Sequence, residues 1–141
     1  MHPTDSGIGY ELSRTYSAPP EALFDALTNA AVLKRIWSVQ AIDVDARVGG
    51  RAVATFVAEG QDWSFAITYI ELSRDDGRLR WVARFKNFPS KETRVTVVLS
   101  RHGGGTALTL RMDNFESAEE RDANRRAWEN GLAVLADVVE Q

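Results

Sequence analysis

The sequence predicts an α+β fold in which one curved antiparallel sheet wraps around a single long carboxy-terminal helix. Three observations support this prediction. Apolar residues recur at every second position over much of residues 8–112, two short stretches before residue 38 have helical spacing, and residues 118–140 carry one apolar stripe. A sheet with one apolar face and a helix with one apolar stripe bury both surfaces by packing together.

The amino-terminal part predicts one strand followed by two short helices. Apolar residues alternate over residues 8–16, which is typical of a half-buried strand. Prolines are tolerated in a first helical turn, so Pro19 and Pro20 favour a helix over residues 19–28. Asn29 can cap a second short helix that ends near Trp37.

After Trp37 the apolar period changes to two, which predicts a meander of six strands. Turn signals separate them, including two glycines at residues 49–50, three glycines at residues 103–105 and the Asp-Gly step before residue 78. The predicted strands cover residues 42–44, 51–58, 63–72, 79–85, 93–100 and 106–112.

The last predicted element is a helix over residues 118–140. Ser117 and Glu120 have the spacing of a capping box. Gly131 lies within the apolar stripe, where glycine costs about 1 kcal/mol relative to alanine, so we expect it to allow close approach to the sheet or to leave space for a guest. The order of one strand, two short helices, six strands and one long helix predicts a helix-grip arrangement, with one domain over residues 1–141 and a core at about 8–140.

Composition restricts the class of protein. The chain has 141 residues, 44% hydrophobic and 26% charged residues and no cysteine. That length favours a single domain, and the lack of cysteine removes disulfides, thiolate zinc sites and cysteine nucleophiles. No apolar run approaches 18 residues and no signal-peptide pattern occurs, so we expect no membrane span and a cytoplasmic location.

Motifs for catalysis and metal binding are weak. His2 lies at the terminus and His102 at a predicted hairpin turn, so neither is well placed in a catalytic triad. Asp43 and Asp45 share a strand face but have no third ligand nearby. Phosphate-binding loop motifs do not occur. We therefore predict no catalytic residue, no metal site and no cofactor.

The charge is unevenly distributed. Residues 78–111 hold 8 Lys and Arg against 1 Glu, whereas the segments on either side are acidic. Alternating positive residues on strands are more typical of a solvated sheet face than of a nucleic-acid surface, and we predict no nucleic-acid partner. An acidic protein partner stays open, with the candidate patch formed by Arg78, Arg80, Arg84, Lys86, Lys91 and Arg94.

Many bulky rings fall on the faces predicted to point inward. They either pack into a filled core or leave a cavity for a small apolar molecule, and aromatic walls with a few polar tips are typical of ligand sites. The predicted ligand-binding residues are Trp37, Trp63, Phe65, Tyr69, Trp81, Phe85 and Trp128, with Tyr10 as a polar tip.

Several segments, in this order, carry a resemblance to a known family. They read APPEALFDALTNAAVLKRIWS, DVDARVGGRAVATF, ITYIELSRDDGRLRWVARF, GGGTALTLRMDNF and WENGLAVLADVV. Over roughly residues 8–140 the chain resembles the family named after the activator of the heat-shock protein 90 ATPase, in the START-like or SRPBCC superfamily that includes the birch pollen allergen. The matching positions are Pro19, Pro20, Phe24, Trp37, Gly49, Gly50, Leu79, Trp81, Gly104, Gly105, Thr106, Trp128, Leu132 and Leu135.

The resemblance implies a helix-grip fold with a cavity between sheet and helix. The leading hypothesis is a non-catalytic protein that binds a small apolar molecule. The alternative is an interaction module that stimulates a heat-shock protein 90-type chaperone ATPase through the basic patch, and the third is a cyclase-like or hydrolase-like enzyme that uses Tyr10, Tyr69 or an inward Asp. Residues 112–115 read Met-Asp-Asn-Phe where many relatives carry a histidine, which weakens the enzyme hypothesis. We expect no second domain, whereas the eukaryotic activator has an additional amino-terminal domain, which weakens the activator hypothesis. Pairing of sheet edges leaves a homodimer open.

Overall fold

The computed structural model describes residues 7–85 and 88–140. Its elements follow the predicted order of one strand, two short helices, six strands and a long helix. They are β1 (Gly9–Tyr16), α1 (Pro20–Leu27), α2 (Ala30–Trp37), β2 (Ala41–Val44), β3 (Arg51–Ala58), β4 (Gln61–Ser73), β5 (Arg78–Phe85), β6 (Phe88–His102), β7 (Gly105–Asp113) and α3 (Ala118–Val139).

The seven strands form one antiparallel sheet in the order β1-β7-β6-β5-β4-β3-β2. The first strand pairs with the last, so β1 and β2 are the two edges. The register shifts between Tyr69 and Glu71 in β4 and between Ala83 and Phe85 in β5. Such irregularities bend strands locally. The curved sheet with its long helix confirms the predicted helix-grip fold.

Local signals account for the helix ends. The Asn29 side chain accepts a hydrogen bond from the Val32 amide at 3.1 Å and so caps α2. The Ser117 hydroxyl accepts from the Glu120 amide at 3.2 Å and so caps α3. No helix within the described part of the chain combines the length and the apolar character needed to cross a membrane.

Gly131 allows close approach, but to a different partner from the one expected. A Cβ atom at this position would lie 2.8 Å from Ile36 Cγ2 and 3.0 Å from the Ile36 carbonyl oxygen. The glycine therefore lets α3 pack against α2, and the expectation that it faces the sheet is wrong. The reason is that α2 lies across this part of α3, so the contact is between two helices.

One end of the interior is filled by leucines. We call this the leucine end; it is formed by Leu23, Leu27, Leu79, Leu99, Leu108 and Leu135, all of them buried. The Tyr16 hydroxyl donates a hydrogen bond to the Leu132 carbonyl oxygen at 2.9 Å, which ties β1 to α3 here. At the surface, the Glu140 carboxylate accepts from the Ser17 amide at 2.7 Å and from its hydroxyl at 3.0 Å.

The predicted strand bounds differ most in β6. The sequence predicts a start at residue 93, whereas β6 begins at Phe88 and pairs with β5 from there. Residues 88–92 read Phe-Pro-Ser-Lys-Glu, which has no apolar alternation to indicate a strand. Pairing with a neighbouring strand extends β6 beyond the part that its own pattern shows.

Candidate functional site

A cavity of about 250 Å³ lies at the opposite end of the interior, between the inner face of β3–β7 and helices α2 and α3. We call this the aromatic end, because six rings form its walls: Trp37, Phe56, Phe65, Trp81, Phe85 and Trp128. Aliphatic side chains complete the walls: Ile36, Val39, Ile67, Ala83, Val95, Met112 and Ala127. Pockets for drug-sized ligands are larger, at about 300–1,000 Å³, so this cavity suits a compact molecule.

The rings brace one another. Trp37 meets Phe65 edge-on, with centroids 5.2 Å apart, and meets Trp128 edge-on at 6.5 Å. Trp81 and Trp128 lie 6.2 Å apart, and Phe65 lies 5.4 Å from Phe85. Tilted and edge-on pairs are favourable for aromatic rings. This continuous series of contacts from Phe85 to Trp81 holds the rings at fixed distances around the cavity.

Exposure increases from one side of the cavity to the other. Ile67, Trp81 and Val95 are buried, whereas Phe56 and Phe85 are half-buried. Ala127, on the first half of α3, is exposed although it also lines the cavity. The cavity therefore has a deep side against the middle of the sheet and a side that opens to solvent beside α3.

The cavity has one polar feature besides the indole nitrogens of its tryptophans. Among the described lining residues, Asn124 alone carries another side-chain nitrogen or oxygen. The Tyr10 hydroxyl donates a hydrogen bond to Asn124 Oδ1 at 2.5 Å and lies 3.6 Å from Met112 Sδ. Burial raises the pKa of Tyr10 well above its usual range, although Arg125 acts to lower it. Tyr10 therefore stays a neutral donor at physiological pH.

Five of the eight predicted ligand-binding residues line the cavity: Trp37, Phe65, Trp81, Phe85 and Trp128. Trp63 is not among the lining residues and stacks on Phe56 at 6.5 Å. Tyr69 lies behind the wall and meets Trp81 edge-on at 6.3 Å. Tyr10 reaches the cavity through its bond to Asn124. A ligand-binding role for each of these residues stays a prediction.

Nine of the 14 lining residues are absent from the predicted ligand-binding set, and two of these nine, the aromatic Phe56 and the polar Asn124, differ in chemistry from the aliphatic rest. Phe56 alternates with the buried Ala52 and Ala54, so the period of β3 already indicates its inward position. Asn124 stands among charged residues in a polar stretch of α3. Its spacing of four residues from Trp128 places it on the apolar stripe, and that spacing is the only sequence signal for it.

Tyr69 has an unusual hydroxyl. The residue is 1% exposed, and its oxygen has no hydrogen-bond partner within the described residues. Burial raises the pKa of Tyr69 to about 12. Most buried polar atoms are hydrogen-bonded, so this group is an energetic cost within the core.

The basic residues of the central strands lie beside acidic partners. Arg94 Nε lies 2.7 Å from Asp113, Arg78 Nε lies 3.5 Å from Glu71, and Arg84 pairs with Glu92. Arg80 is the fourth arginine of the predicted patch. The two lysines of that patch are not described: Lys86 and the side chain of Lys91 lie outside the part of the chain that the structure describes. The ion pairs favour the interpretation of a solvated sheet face, because they reduce the net charge of the patch.

Acidic side chains do not gather into a metal site within the described residues, where no three of the His, Cys, Asp and Glu side chains come together. The Asp45 carboxylate instead accepts a hydrogen bond from Arg47 Nε at 2.9 Å. Asp43 lies in β2, at the edge of the sheet and away from the cavity lining.

The family model described as activator of Hsp90 ATPase homolog 1-like protein matches residues 17–140. The chain belongs to this family. The match includes both short helices, six of the seven strands and α3. No curated protein is similar enough in sequence to count as a match.

Solved structures share this fold. Protein CV1439 from Chromobacterium violaceum is 27% identical, with a TM-score of 0.84 over 94% of this chain and 98% of that one. A protein from Rhizobium leguminosarum is 18% identical, with a TM-score of 0.81 over 96% and 95% of the two chains. Ara h 8.0201 is 14% identical, with a TM-score of 0.76 over 95% and 99%. The last two similarities concern the fold alone.

Proposed function

We propose that this protein binds a compact apolar molecule in the cavity at the aromatic end and does not transform it chemically. The observation that carries the proposal is an apolar cavity of about 250 Å³ whose walls are braced rings. Burying apolar surface contributes about 25 cal/mol per Å² before the costs of ordering the ligand. A molecule of one or two rings can use most of this wall.

The lining supports binding rather than acid–base chemistry. Within the described lining residues there is no carboxylate, imidazole, amine or hydroxyl group. Tyr10 and Tyr69, the candidate acids of the enzyme hypothesis, are both absent from the lining, and burial raises the pKa of each. A general acid or base works best with a pKa near the operating pH, and these two groups lie far from it.

Stimulation of a chaperone ATPase is the alternative that the family description suggests. The basic patch would carry that interaction, but three of its four arginines, Arg78, Arg84 and Arg94, already pair with acidic residues of this chain. An unchanged ATPase rate of a heat-shock protein 90 at low salt, with this protein in excess, would contradict the chaperone alternative.

A cytoplasmic location and a homodimer also stay predictions.

The test of the binding proposal compares two identical substitutions on opposite faces of the sheet. Ala83→Leu adds bulk to the cavity wall, whereas Ala66→Leu adds the same bulk to the outer face of neighbouring β4. Equilibrium dialysis with naphthalene measures the binding. We expect wild type and Ala66→Leu to bind naphthalene equally and Ala83→Leu to bind it at least about tenfold more weakly, since the added side chain occupies the space.

Circular dichroism and thermal unfolding serve as the control that both variants are folded. Equal naphthalene affinity in Ala83→Leu and wild type would show that the probe binds elsewhere. Failure of the wild type to retain naphthalene would contradict the proposed function. As a complement, native mass spectrometry under gentle and harsh activation identifies any molecule that copurifies with the chain.

A further inference from the structure

The polar group at the aromatic end indicates a more specific ligand class. We infer that the bound apolar molecule carries a hydrogen-bond acceptor, such as a carbonyl oxygen, and that the side-chain NH₂ group of Asn124 donates to it. This inference rests on the proposed function, because it describes the chemistry of the same cavity.

The position of Asn124 on α3 brings its side chain to the cavity. Asn124 lies on α3, four residues before Trp128, so its side chain stands on the same face of the helix. Asn124 lines the cavity and is half-buried. Apart from the indoles, its amide is the polar side-chain group that a ligand meets within the described lining.

The hydrogen bond from Tyr10 fixes the orientation of the Asn124 amide. A neutral tyrosine hydroxyl has one proton, and that of Tyr10 is donated to Asn124 Oδ1 at 2.5 Å. The amide oxygen therefore faces Tyr10, and the NH₂ group points away from Tyr10 within the amide plane. Tyr10 is held in turn by stacking of its ring on Phe115, with centroids 5.8 Å apart.

The side-chain NH₂ group of Asn124 is a donor that makes no hydrogen bond within the described residues. The hydrogen bond to Tyr10 is the one that Asn124 makes within the described residues, and it uses the oxygen. The NH₂ group is thus a donor beside apolar walls that has no protein acceptor among the described residues and stays accessible to solvent in the free protein, since the buried side-chain atom without a partner there is the Tyr69 hydroxyl. A ligand that fills the cavity displaces the water at this group. Polar groups removed from water are costly unless they are hydrogen-bonded. A ligand acceptor restores the lost bond, whereas a pure hydrocarbon leaves the donor unsatisfied.

The experiment uses two probes of nearly the same shape. The first is 2-acetylnaphthalene, and the second is 2-isopropenylnaphthalene, in which a CH₂ group replaces the carbonyl oxygen. Equilibrium dialysis gives the dissociation constants of both probes for wild type and for Asn124→Leu. Leucine has nearly the same size as asparagine and is a good helix former. We expect wild type to bind the ketone about tenfold more tightly, the effect of one net hydrogen bond.

In Asn124→Leu the preference for the ketone should disappear, while affinity for the hydrocarbon is kept. Infrared spectra give an independent readout. The carbonyl stretch of the bound ketone should shift to lower wavenumber in wild type and not in the variant. If Asn124→Leu does not fold, Tyr10→Phe is tested in its place. Loss of the Tyr10 hydroxyl leaves the Asn124 amide free to rotate, so the preference for the ketone should fall at least about threefold. An unchanged preference in Tyr10→Phe contradicts the inference.

The outcomes separate this inference from the proposed function. Equal affinity of wild type for both probes overturns the acceptor requirement and leaves apolar binding intact. A ketone preference that persists in Asn124→Leu overturns the role of Asn124 and assigns the donor to another group, either an indole N–H or the Tyr10 hydroxyl that the substitution frees. Failure of both probes to bind contradicts the proposed function and the inference together.

Discussion

The leucine end and the aromatic end share one sheet and one helix, but the described residues that line the apolar cavity belong to the aromatic end. At the leucine end, side chains such as Leu79, Leu108 and Leu135 are at most 1% exposed and none of them lines the cavity. At the aromatic end, Trp37 and Phe85 stay half-buried around about 250 Å³ of space. The difference lies in the shape of the side chains, since apolar residues occur at both ends.

Leucine side chains are flexible enough to interdigitate and fill the space between sheet and helix to normal interior density. Planar rings that meet edge-on keep each other at fixed distances, as Trp37 does with Phe65 and Trp128. A small residue between them, Ala83, leaves the remaining gap unfilled. One end therefore mainly stabilises the fold, and the other provides a site.

The largest expected effect comes from truncating equivalent residues at the two ends. Leu79→Ala should lower the free energy of unfolding by about 4 kcal/mol, because it opens a new hole in a filled region. Ile67→Ala, on the neighbouring strand, should lower it by about 2 kcal/mol, because Ile67 already faces the cavity and loses fewer contacts. Denaturation with urea measures both values. Equal losses would show that the two ends are packed alike.

The two buried tyrosines provide a smaller effect of opposite sign. Tyr16→Phe should lower the free energy of unfolding by about 1 kcal/mol, because it removes the bond to the Leu132 carbonyl oxygen. Tyr69→Phe should raise it by about 1 kcal/mol, because it removes a buried hydroxyl without a partner. Each variant is the control for the other in thermal or urea unfolding. A loss of stability in Tyr69→Phe would reveal a partner for its hydroxyl.

The smallest effect is a pH dependence confined to the leucine end. Hydrogen bonds from the Ser17 amide and hydroxyl hold the pKa of Glu140 below its usual value, and the hydrogen bond from Arg74 does the same for Asp25. A carboxyl whose pKa is lower in the folded state stabilises it above the ordinary pKa, and this contribution is lost as pH falls through the folded pKa. Both groups are exposed, so the effect is small.

We therefore expect amide protection in α1 and in the last turn of α3 to decrease as pH falls from about 5 to 3. Hydrogen exchange measures this decrease. Affinity for naphthalene at the aromatic end should change little over the same range. In Glu140→Gln the change at the end of α3 should be absent. An unchanged profile in that variant would show that another group titrates there.

Local patterns in the sequence predicted the fold well. The period of two identified β3, β5 and β7 with nearly correct bounds, and capping residues such as Asn29 and Ser117 marked the helix starts. These signals work because backbone geometry alone decides which side chains share a face. The start of β6 at Phe88 was missed because strand pairing, rather than its own pattern, extends it.

The candidate site was predicted only in part. The inward faces of β4 and β5 correctly placed Phe65, Trp81 and Phe85 in the interior. The sequence did not indicate that Trp63 and Tyr69 lie outside the cavity lining, because an inward residue touches whatever happens to lie opposite it. That neighbour depends on sheet curvature and on the angle of α3.

The sequence by itself determined the types and order of the elements, the apolar faces and the family, since these depend on spacing along the chain. Only the tertiary structure decided that rings surround a cavity while leucines close the other end. It also brought Gly131 against Ile36, and Asn124 within 2.5 Å of a tyrosine 114 residues earlier. Contacts of this kind depend on how layers pack in three dimensions, and no local pattern encodes that packing.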